Sequence, residues 1–554
     1  MSIISLLETS RHALSVYTQA IRTVGDNVAN VNTEGYSRRR ADLVTTGVVG
    51  PQSARTGTGV DIQSITRIVD QFLNSELVNR MSERARAEVR NEFMTRAERP
   101  FALDNQPGSL SYELNAFFGS LQDLTANPAD IPLRTQVLES GGKLAEAIRQ
   151  SYAEIAQLQR EADNRLNVLV GEVNRLTGTI ADLNYQITTN EYSANQEALT
   201  LRDAREIALR ELGELISFKT VEDANGHVMV YLQNGFALVS GIDNRELEFN
   251  TDPSFAPAAG FPQAMDGGLL GSIVYAYPGG AEDLDLTEFL ANGGGEVAGL
   301  LSLRGVNSTA AGQTTFDADG DLVRIGARIE ALARDLLVRF NTEYLGPDED
   351  STTAGFQPSA RNLDGNAPDA FGLFSFAEAD TGNNFGDINS DGLPTTADLT
   401  ALVAAGVFSF ARNINFRPST EREIAAARDI DPTDGTVSWA PGDASNIEAL
   451  LTQRDALFSY ATYNVGEVSE TAKIDDFLNV TYSTVGSISR RTQDDHKFYA
   501  AREEQVAELQ SNVSGVNLDE ELSKLISFQR GYQAAARLIG IADELIADLL
   551  GTVG

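Results

Sequence analysis

The sequence predicts an α+β multidomain protein with paired N- and C-terminal coiled-coil-like helices, a long-helix bundle domain and β-rich inserted outer domains. Three observations carry that reading. Apolar residues recur at heptad spacing at both extremes of the chain. A helical period persists from Leu144 to Ile187. Two stretches rich in Gly, Pro and Asp interrupt the helical sequence. The expected organisation is nested. Residues 1–50 with 515–554 form a terminal helical domain, and 51–215 with 296–345 and 441–514 form a helical bundle. Residues 216–295 form a β-rich insertion, and 346–440 a loop-rich outer insertion.

The first helix is read from Leu7, Leu14, Tyr17, Ile21, Val24, Val28 and Val31, a seam that only Ser10 interrupts. The last is read from Leu518, Leu522, Leu525, Phe528, Tyr532, Ala535, Ile539, Ala542, Ile546 and Leu549, in steps of three and four. Asn517 stands at the N-cap, and Glu520 three residues on completes a capping box. The opposite face carries Asp519, Lys524, Arg530, Arg537 and Glu544, so this helix is amphipathic. An isolated helix in water is marginal, which makes the two terminal stripes natural partners. After the first helix, Asn27, Asn30, Asn32 and Gly35, followed by Tyr36 and Ser37, end the helix and turn the chain, because Asn and Gly tolerate left-handed backbone.

A continuous helix from Leu144 to Ile187 would span roughly 60–65 Å at about 1.5 Å per residue. Gly171 and Gly178 each cost about 1 kcal/mol against Ala, so a bend is expected there. Val228–Leu232 and Phe236–Val239 flank Gln233-Asn234-Gly235, a hairpin signal. Helix is expected again over Leu322–Phe340 and from Ile447 to Gln510.

Composition narrows the function classes. The chain has 554 residues, 42% of them apolar, enough for several packed domains. A formal charge of −36 disfavours nucleic acid or an anionic membrane as partner. The absence of Cys excludes disulfides, a thiol nucleophile and Cys-ligated zinc. No apolar run is long enough to span a bilayer, so no membrane insertion is expected. No basic segment followed by an apolar one opens the chain, so a cleaved signal peptide is not expected. The three His, His12, His227 and His496, are too dispersed to read as a ligand set, and no Gly-x-Ser-x-Gly elbow, P-loop or zinc helix occurs. The expectation is a protein that is not an enzyme.

The stretch Gly25–Arg38 resembles the N-terminal signature of bacterial flagellar rod, hook and hook-associated proteins. Ser514–Glu521 with Phe528-Gln-Arg-Gly-Tyr532 resembles their C-terminal signature. The interior resembles the hook-associated protein 1 family, the first hook–filament junction proteins. That likeness rests on Gly57–Asp61 with Arg67–Leu77, Phe117–Leu124 with Asn127-Pro-Ala-Asp130 and Arg134, Leu201-Arg-Asp-Ala-Arg205, and Gly442-Asp-Ala-Ser-Asn446. The resemblance implies a structural subunit exported by the flagellar type III system to the extracellular hook–filament junction. It implies self-association in a ring, with the terminal helices lining the inner tube. Its implied partners are the hook protein, the second hook–filament junction protein and a flagellar export chaperone, with no cofactor required.

One motif falls outside that reading. Asp387, Asn389, Asp391, Leu393, Thr395 and Asp398 occupy positions 1, 3, 5, 7, 9 and 12 of an EF-hand-like loop, with Gly392 at the turn position. The loop resembles dockerin-type calcium loops, and calcium is the cofactor it would take. Asp398 is shorter than the usual Glu, and Pro394 stiffens the loop. Two alternatives stand beside the junction subunit: the flagellar hook protein, and a secreted calcium-dependent adhesin or binding module. The triplet Arg38-Arg39-Arg40 is expected to form salt bridges in an acidic chain.

Overall fold

The computed structural model describes residues 3–49, 56–57, 59–101, 106–191, 198–251, 265–266, 268–275, 284–306, 320–346, 359–368, 372–376, 410–429, 438–460 and 470–553. It is mostly helical, with several small antiparallel sheets. The chain divides into two compact units: Met1–Ala85 with Glu172–Glu246 and Lys497–Gly554, and Arg86–Gly171 with Leu247–His496. Helices α2 (Gln71–Ala97), α4 (Ile131–Glu191) and α12 (Ile474–Ser514) each supply residues to both. The β-rich stretch 216–295 is likewise shared between the two units at Glu246/Leu247.

In the first unit, α1 (Ile3–Ala29) lies along α13 (Leu518–Val553), the most extensive contact between elements among the described residues. Helix α1 also packs on the antiparallel ribbon of β1 (Arg39–Thr45) and β4 (Val60–Arg67), whose register shifts between Asp42 and Leu43. A short pair, β2 (Val48–Val49) and β3 (Thr56–Gly57), lies between these strands in sequence. Helix α5 (Leu199–Leu215) approaches α2 closely. A Cβ on Gly213 would lie 2.6 Å from Val78 Cγ1. Strands β5 (Phe218–Glu222), β6 (Val228–Leu232), β7 (Ala237–Ser240) and β8 (Asp243–Asn244) form a meander in chain order. Val228, Val230 and Leu232 of β6 are buried and alternate with less buried neighbours, the period of a half-covered strand. Its turn forms at the expected residues: Gly235 takes φ +91°, and Asn234 Oδ1 accepts from Phe236 N at 3.2 Å.

Helix α4 runs for 61 residues and remains one helix through Gly171 and Gly178. Leu144, Ile148, Ile155, Leu166, Val173, Ile180 and Ile187 are all buried along it, and that burial offsets the cost of the two glycines.

In the second unit, α3 (Leu110–Ala126) is capped by Ser109, whose Oγ accepts from Tyr112 N at 3.3 Å. It delivers Phe117 to an aromatic cluster with Phe374 of β13 (Phe374–Phe376) and Phe416 of β14 (Ile414–Phe416), at centroid distances of 5.8 and 6.1 Å. Arg134 is fully buried and donates to the carbonyls of Pro128 and Ile424 at 2.6 and 2.7 Å, and burial depresses its pKa. A three-stranded sheet, β9 (Leu247–Asn250), β10 (Ser272–Tyr275) and β11 (Leu284–Asp285), precedes α6 (Thr287–Ala291) and α7 (Gly295–Arg304).

Helix is expected over Leu322–Phe340. It appears as α8 (Asp321–Asp335) continued by a π-helical turn, Leu336–Phe340, and then α9 (Asn341–Leu345). Strand β12 (Ala360–Arg361) pairs with β15 (Ala427–Arg428), and α10 (Phe410–Asn413) leads into β14. Asn446, fully buried in α11 (Ser445–Thr452), donates to Tyr344 O at 2.9 Å and Ala425 O at 2.8 Å and accepts from Arg428 Nε at 2.7 Å. These bonds account for the Gly442–Asn446 element as a tie between backbone segments.

The helix expected from Ile447 to Gln510 is broken. Between α11 and α12 the chain forms an antiparallel pair, β16 (Phe458–Tyr460) with β17 (Glu470–Ala472). The physical reason is Tyr460. Its fully buried ring stacks on Phe477 at 3.8 Å, and its hydroxyl donates to buried Asp335 at 2.7 Å. These long-range gains outweigh local helical periodicity.

Candidate functional site

The site most completely built from the sequence signatures is a polar clasp that holds the two ends of the chain together in the first unit. Helix α1 ends at Ala29, and the turn that follows places Gly35 at φ +74°, where a Cβ would collide with the Ile207 side chain. That turn brings Tyr36 and Arg39 back over Asn27. Asn27 is fully buried and all its hydrogen-bonding capacity is used. Its Oδ1 accepts from Tyr36 Oη at 2.8 Å and Arg39 N at 2.9 Å, and its Nδ2 donates to Arg39 O at 2.8 Å and Glu521 Oε2 at 2.8 Å. Burial pushes the Tyr36 hydroxyl up to about 12, so it stays a donor.

Glu521, on the first turn of α13, is the opposite half of the clasp. Its side chain is 1% exposed and receives Arg38 Nε at 3.0 Å and Lys524 Nζ at 3.1 Å besides Asn27. Burial alone would raise its pKa, but hydrogen bonds from Asn27, Lys524 and Arg38 hold it below the usual carboxylate range. Arg38 N donates to Ser514 O at 3.0 Å, tying the same turn to the end of α12.

A second network lies beside the clasp. Asp203 and Arg205 of the Arg-Asp-Ala-Arg segment are buried, and Asp203 pairs with Arg67 Nε at 2.9 Å and Arg39 at 3.5 Å. Buried Ser37 accepts from Arg67 at 3.1 Å and bonds Asp203 through its hydroxyl. Burial raises Asp203, with Arg67, Ser37 and Arg39 opposing. Arg205 donates to Asn184 Oδ1 and Gly226 O at 2.8 and 2.7 Å, and Arg202 pairs with Glu191 and Glu222. The basic triplet is thus consumed locally: Arg38 on Glu520 and Glu521, Arg39 on Asp203, and Arg40 on Asp42. Asn30 donates to Asp26 O, and Asn32 is exposed.

The seams sit differently from their sequence spacing. On α1, Val24 is buried, while Leu7, Leu14, Tyr17, Ile21 and Val28 are half-buried, and Val31, half-buried too, falls in the turn beyond the helix. The fully covered positions there are Ser10, Val16, Ala20, Thr23, Val24 and Asn27. On α13, Leu525, Phe528 and Ile539 are half-buried, and Leu518, Leu522, Tyr532 and Ile546 are exposed. Leu549 lies in the helix, with its side chain outside the described residues. The buried line is Glu521, Ala535 and Ala542. Small residues at the line of contact let two helices approach closely, and the larger apolar residues are displaced to its flanks.

Asn517 caps α13 as expected, its Oδ1 accepting from Asp519 N and Glu520 N at 3.0 and 3.3 Å. Glu520 reaches Arg38 at 2.6 Å, so a charge-assisted bond takes it in place of the reciprocal arm of a capping box. Glu521 is the residue that sequence spacing misses. The available signal is an acid exactly one heptad ahead of Phe528 on an otherwise apolar line.

Among the described residues no group of three or more His, Asp or Glu could hold a metal ion, and no helix is long and apolar enough to cross a membrane. Asp387, Asn389, Asp391, Leu393, Thr395 and Asp398 lie outside the described residues. His227 borders an open cleft of about 570 Å³ and is held by Asp223 at 2.9 Å.

Chain ends clasped around these signatures define an axial protein of the bacterial flagellum, and three family models match accordingly. "Flagella basal body rod protein" matches residues 7–36, "Flagellar hook-associated protein FlgK helical domain" residues 97–350, and "Flagellar basal body rod FlgEFG protein C-terminal" residues 510–552. Flagellar hook-associated protein 1 of Bacillus subtilis is 24% identical over 99% of this chain and 98% of its own. The proteins of that name from Salmonella typhimurium and Escherichia coli are 25% and 23% identical over 99% of both chains. The solved flagellar hook junction protein FlgK from Burkholderia pseudomallei shares the fold, with a TM-score of 0.54 at 16% identity over 79% of this chain and all of its own. Over nearly its whole length the chain is thus similar to flagellar hook-associated protein 1, a flagellar structural component.

Proposed function

We propose that this chain is the structural subunit that joins hook to filament in the bacterial flagellum. The observation that carries the reading is the outward face of α13. Leu522, Ile526, Leu538, Ile541, Leu545 and Leu550 are between 43% and 69% exposed on a helix whose other side is already paired with α1. Leu538, Ile541 and Leu545, spaced three and four residues apart, share one face, and exposed apolar surface of this kind marks an association site. In the assembled state neighbouring copies in a ring would cover it, with the terminal helices lining the inner tube. The hook protein on one side and the second junction protein on the other are the partners this placement requires. Export proceeds through the flagellar type III apparatus to the extracellular end of the hook, with a chaperone covering α13 on the way. The hook-protein reading is not favoured, because the helical-domain model over residues 97–350 is that of a hook-associated protein. We assign no catalytic activity.

The test is a gene deletion beside a strain lacking only residues 515–554. Both strains are expected to keep hooks and to shed flagellin monomers into the medium. Loss of the hook itself, or normal filaments in either strain, would overturn the assignment.

We further propose that the Asp387 loop binds calcium. Its oxygen ligands at EF-hand spacing support this. The ion orders the outer insertion and takes no part in assembly. Calorimetric titration of the full chain is expected to show calcium binding that the Asp387→Ala/Asp391→Ala variant loses. Absence of binding heat in the parent protein sinks the idea.

A further inference from the structure

We propose that Gly531 and the Asn27–Glu521 pair act together as a register lock, selecting one alignment of α1 against α13 from among the heptad-related alternatives. Two contacts far apart on each helix point to it. At one, buried Asn27 meets buried Glu521 at 2.8 Å. At the other, Tyr17 lies over Gly531 and beside Phe528. Its ring centroid is 6.4 Å from that of Phe528, and a Cβ on Gly531 would stand 2.6 Å from Tyr17 Cζ. Tyr17 precedes Asn27 by ten residues and Gly531 follows Glu521 by ten, so both contacts lie in one antiparallel alignment.

The lock is needed because small residues recur along the line of contact. Ala13 and Ala20 on α1, and Ala535 and Ala542 on α13, are each one heptad apart. A slip of seven residues in one direction would therefore pack alanine on alanine again, Ala13 opposite Ala542 and Ala20 opposite Ala535. What it would not preserve is the polar pair or the notch. Asn27 and Glu521 would each be buried without the other, and Tyr17 would face Lys524 or Leu538, side chains with no room for its ring. A buried polar residue is a known device for fixing the register of paired helices, and the glycine adds a steric one. The alignment also sets the phase of the exposed α13 stripe relative to α1. The relevance of the lock to the junction rests on the function proposed above, but its existence does not.

Because the chain has no Cys, introduced pairs report register cleanly. Ala535→Cys is combined in the full-length monomer with Ala13→Cys, which lies four residues beyond the Tyr17–Gly531 contact on each helix. In separate variants it is combined with Leu6→Cys or Ala20→Cys, one heptad to either side. In the parent background only the Ala13→Cys pair should oxidise. Adding Gly531→Leu should abolish that cross-link, and adding Tyr17→Ala to Gly531→Leu should restore it. Equal oxidation of all three pairs in the parent overturns the lock. So does an unchanged Ala13→Cys cross-link in the Gly531→Leu protein, or failure of Tyr17→Ala to rescue. If the cross-links behave as expected while the deletion strain still builds filaments, the junction assignment falls and the lock stands.

Discussion

Replacing Glu521 with alanine should destabilise the paired chain ends by about 3 kcal/mol, the lower end of what breaking a buried ion pair costs. The low end applies because the groups left behind are not wholly stranded. Arg38 keeps Glu520 at 2.6 Å, and Asn27 Nδ2 keeps Arg39 O at 2.8 Å. Glu520→Ala, at a side chain 57% exposed, is the control and should cost no more than about 1 kcal/mol. Hydrogen exchange of the α1 and α13 amides measures both, and equal loss of protection in the two variants would refute the clasp. The effect also has a pH signature. The folded-state pKa of Glu521 is depressed, so its contribution is fully present above the unfolded value of about 4.3 and is lost as pH falls through the folded value. Asp203 titrates with the opposite sign, since its folded pKa is raised and protonation relieves its burial. Any acid-induced loosening of the ends that Glu521→Gln removes therefore belongs to the clasp and not to the neighbouring network.

What the sequence reveals of this fold is what local chemistry decides. The Asn517 cap, the Gln233–Gly235 turn and the path of α4 depend on residues within a few positions of one another, and their spacing is a direct record of the geometry. Asn27 is marked by its signature, but its role emerges only with Glu521, 494 residues away. The same distance problem hides Asp203, whose partners Arg39 and Arg67 reach it from the β1–β4 ribbon, and Tyr460, whose burial against Asp335 and Phe477 ends a stretch of otherwise convincing helical period. The seams show a subtler limit. Heptad spacing identifies which residues share a stripe but not where on the stripe the partner sits. Here the contact line runs through Ala20, Ala535 and Ala542, and the large residues at its flanks are free for a second use.

That second use leads to the other large effect expected. Glutamate at Leu538, Ile541 and Leu545 together should leave the monomer folded, at a cost of roughly 0.5 kcal/mol for each substitution and about 1.5 kcal/mol in all, because substitutions of exposed side chains rarely do more. Swimming, in contrast, should be lost, with flagellin released into the medium. The three side chains are 43%, 49% and 45% exposed, so roughly half of each remains to be buried. At roughly 1.5–3 kcal/mol for a fully buried Leu or Ile, the three together forgo about 2–4 kcal/mol per subunit contact. Each 1.4 kcal/mol is a factor of ten in the association constant, so the contact weakens by between one and three decades. The new carboxylates must also be desolvated beside Asp543 and Glu544, which adds to the loss. The two variants therefore separate the roles of α13. Glu521→Ala damages the pair inside one chain, and exchange in the isolated monomer reports it. The triple glutamate variant leaves that pair protected and fails only when copies meet. A triple variant that is secreted, folded and still supports filaments would mean that the exposed face of α13 is not where neighbouring subunits bind.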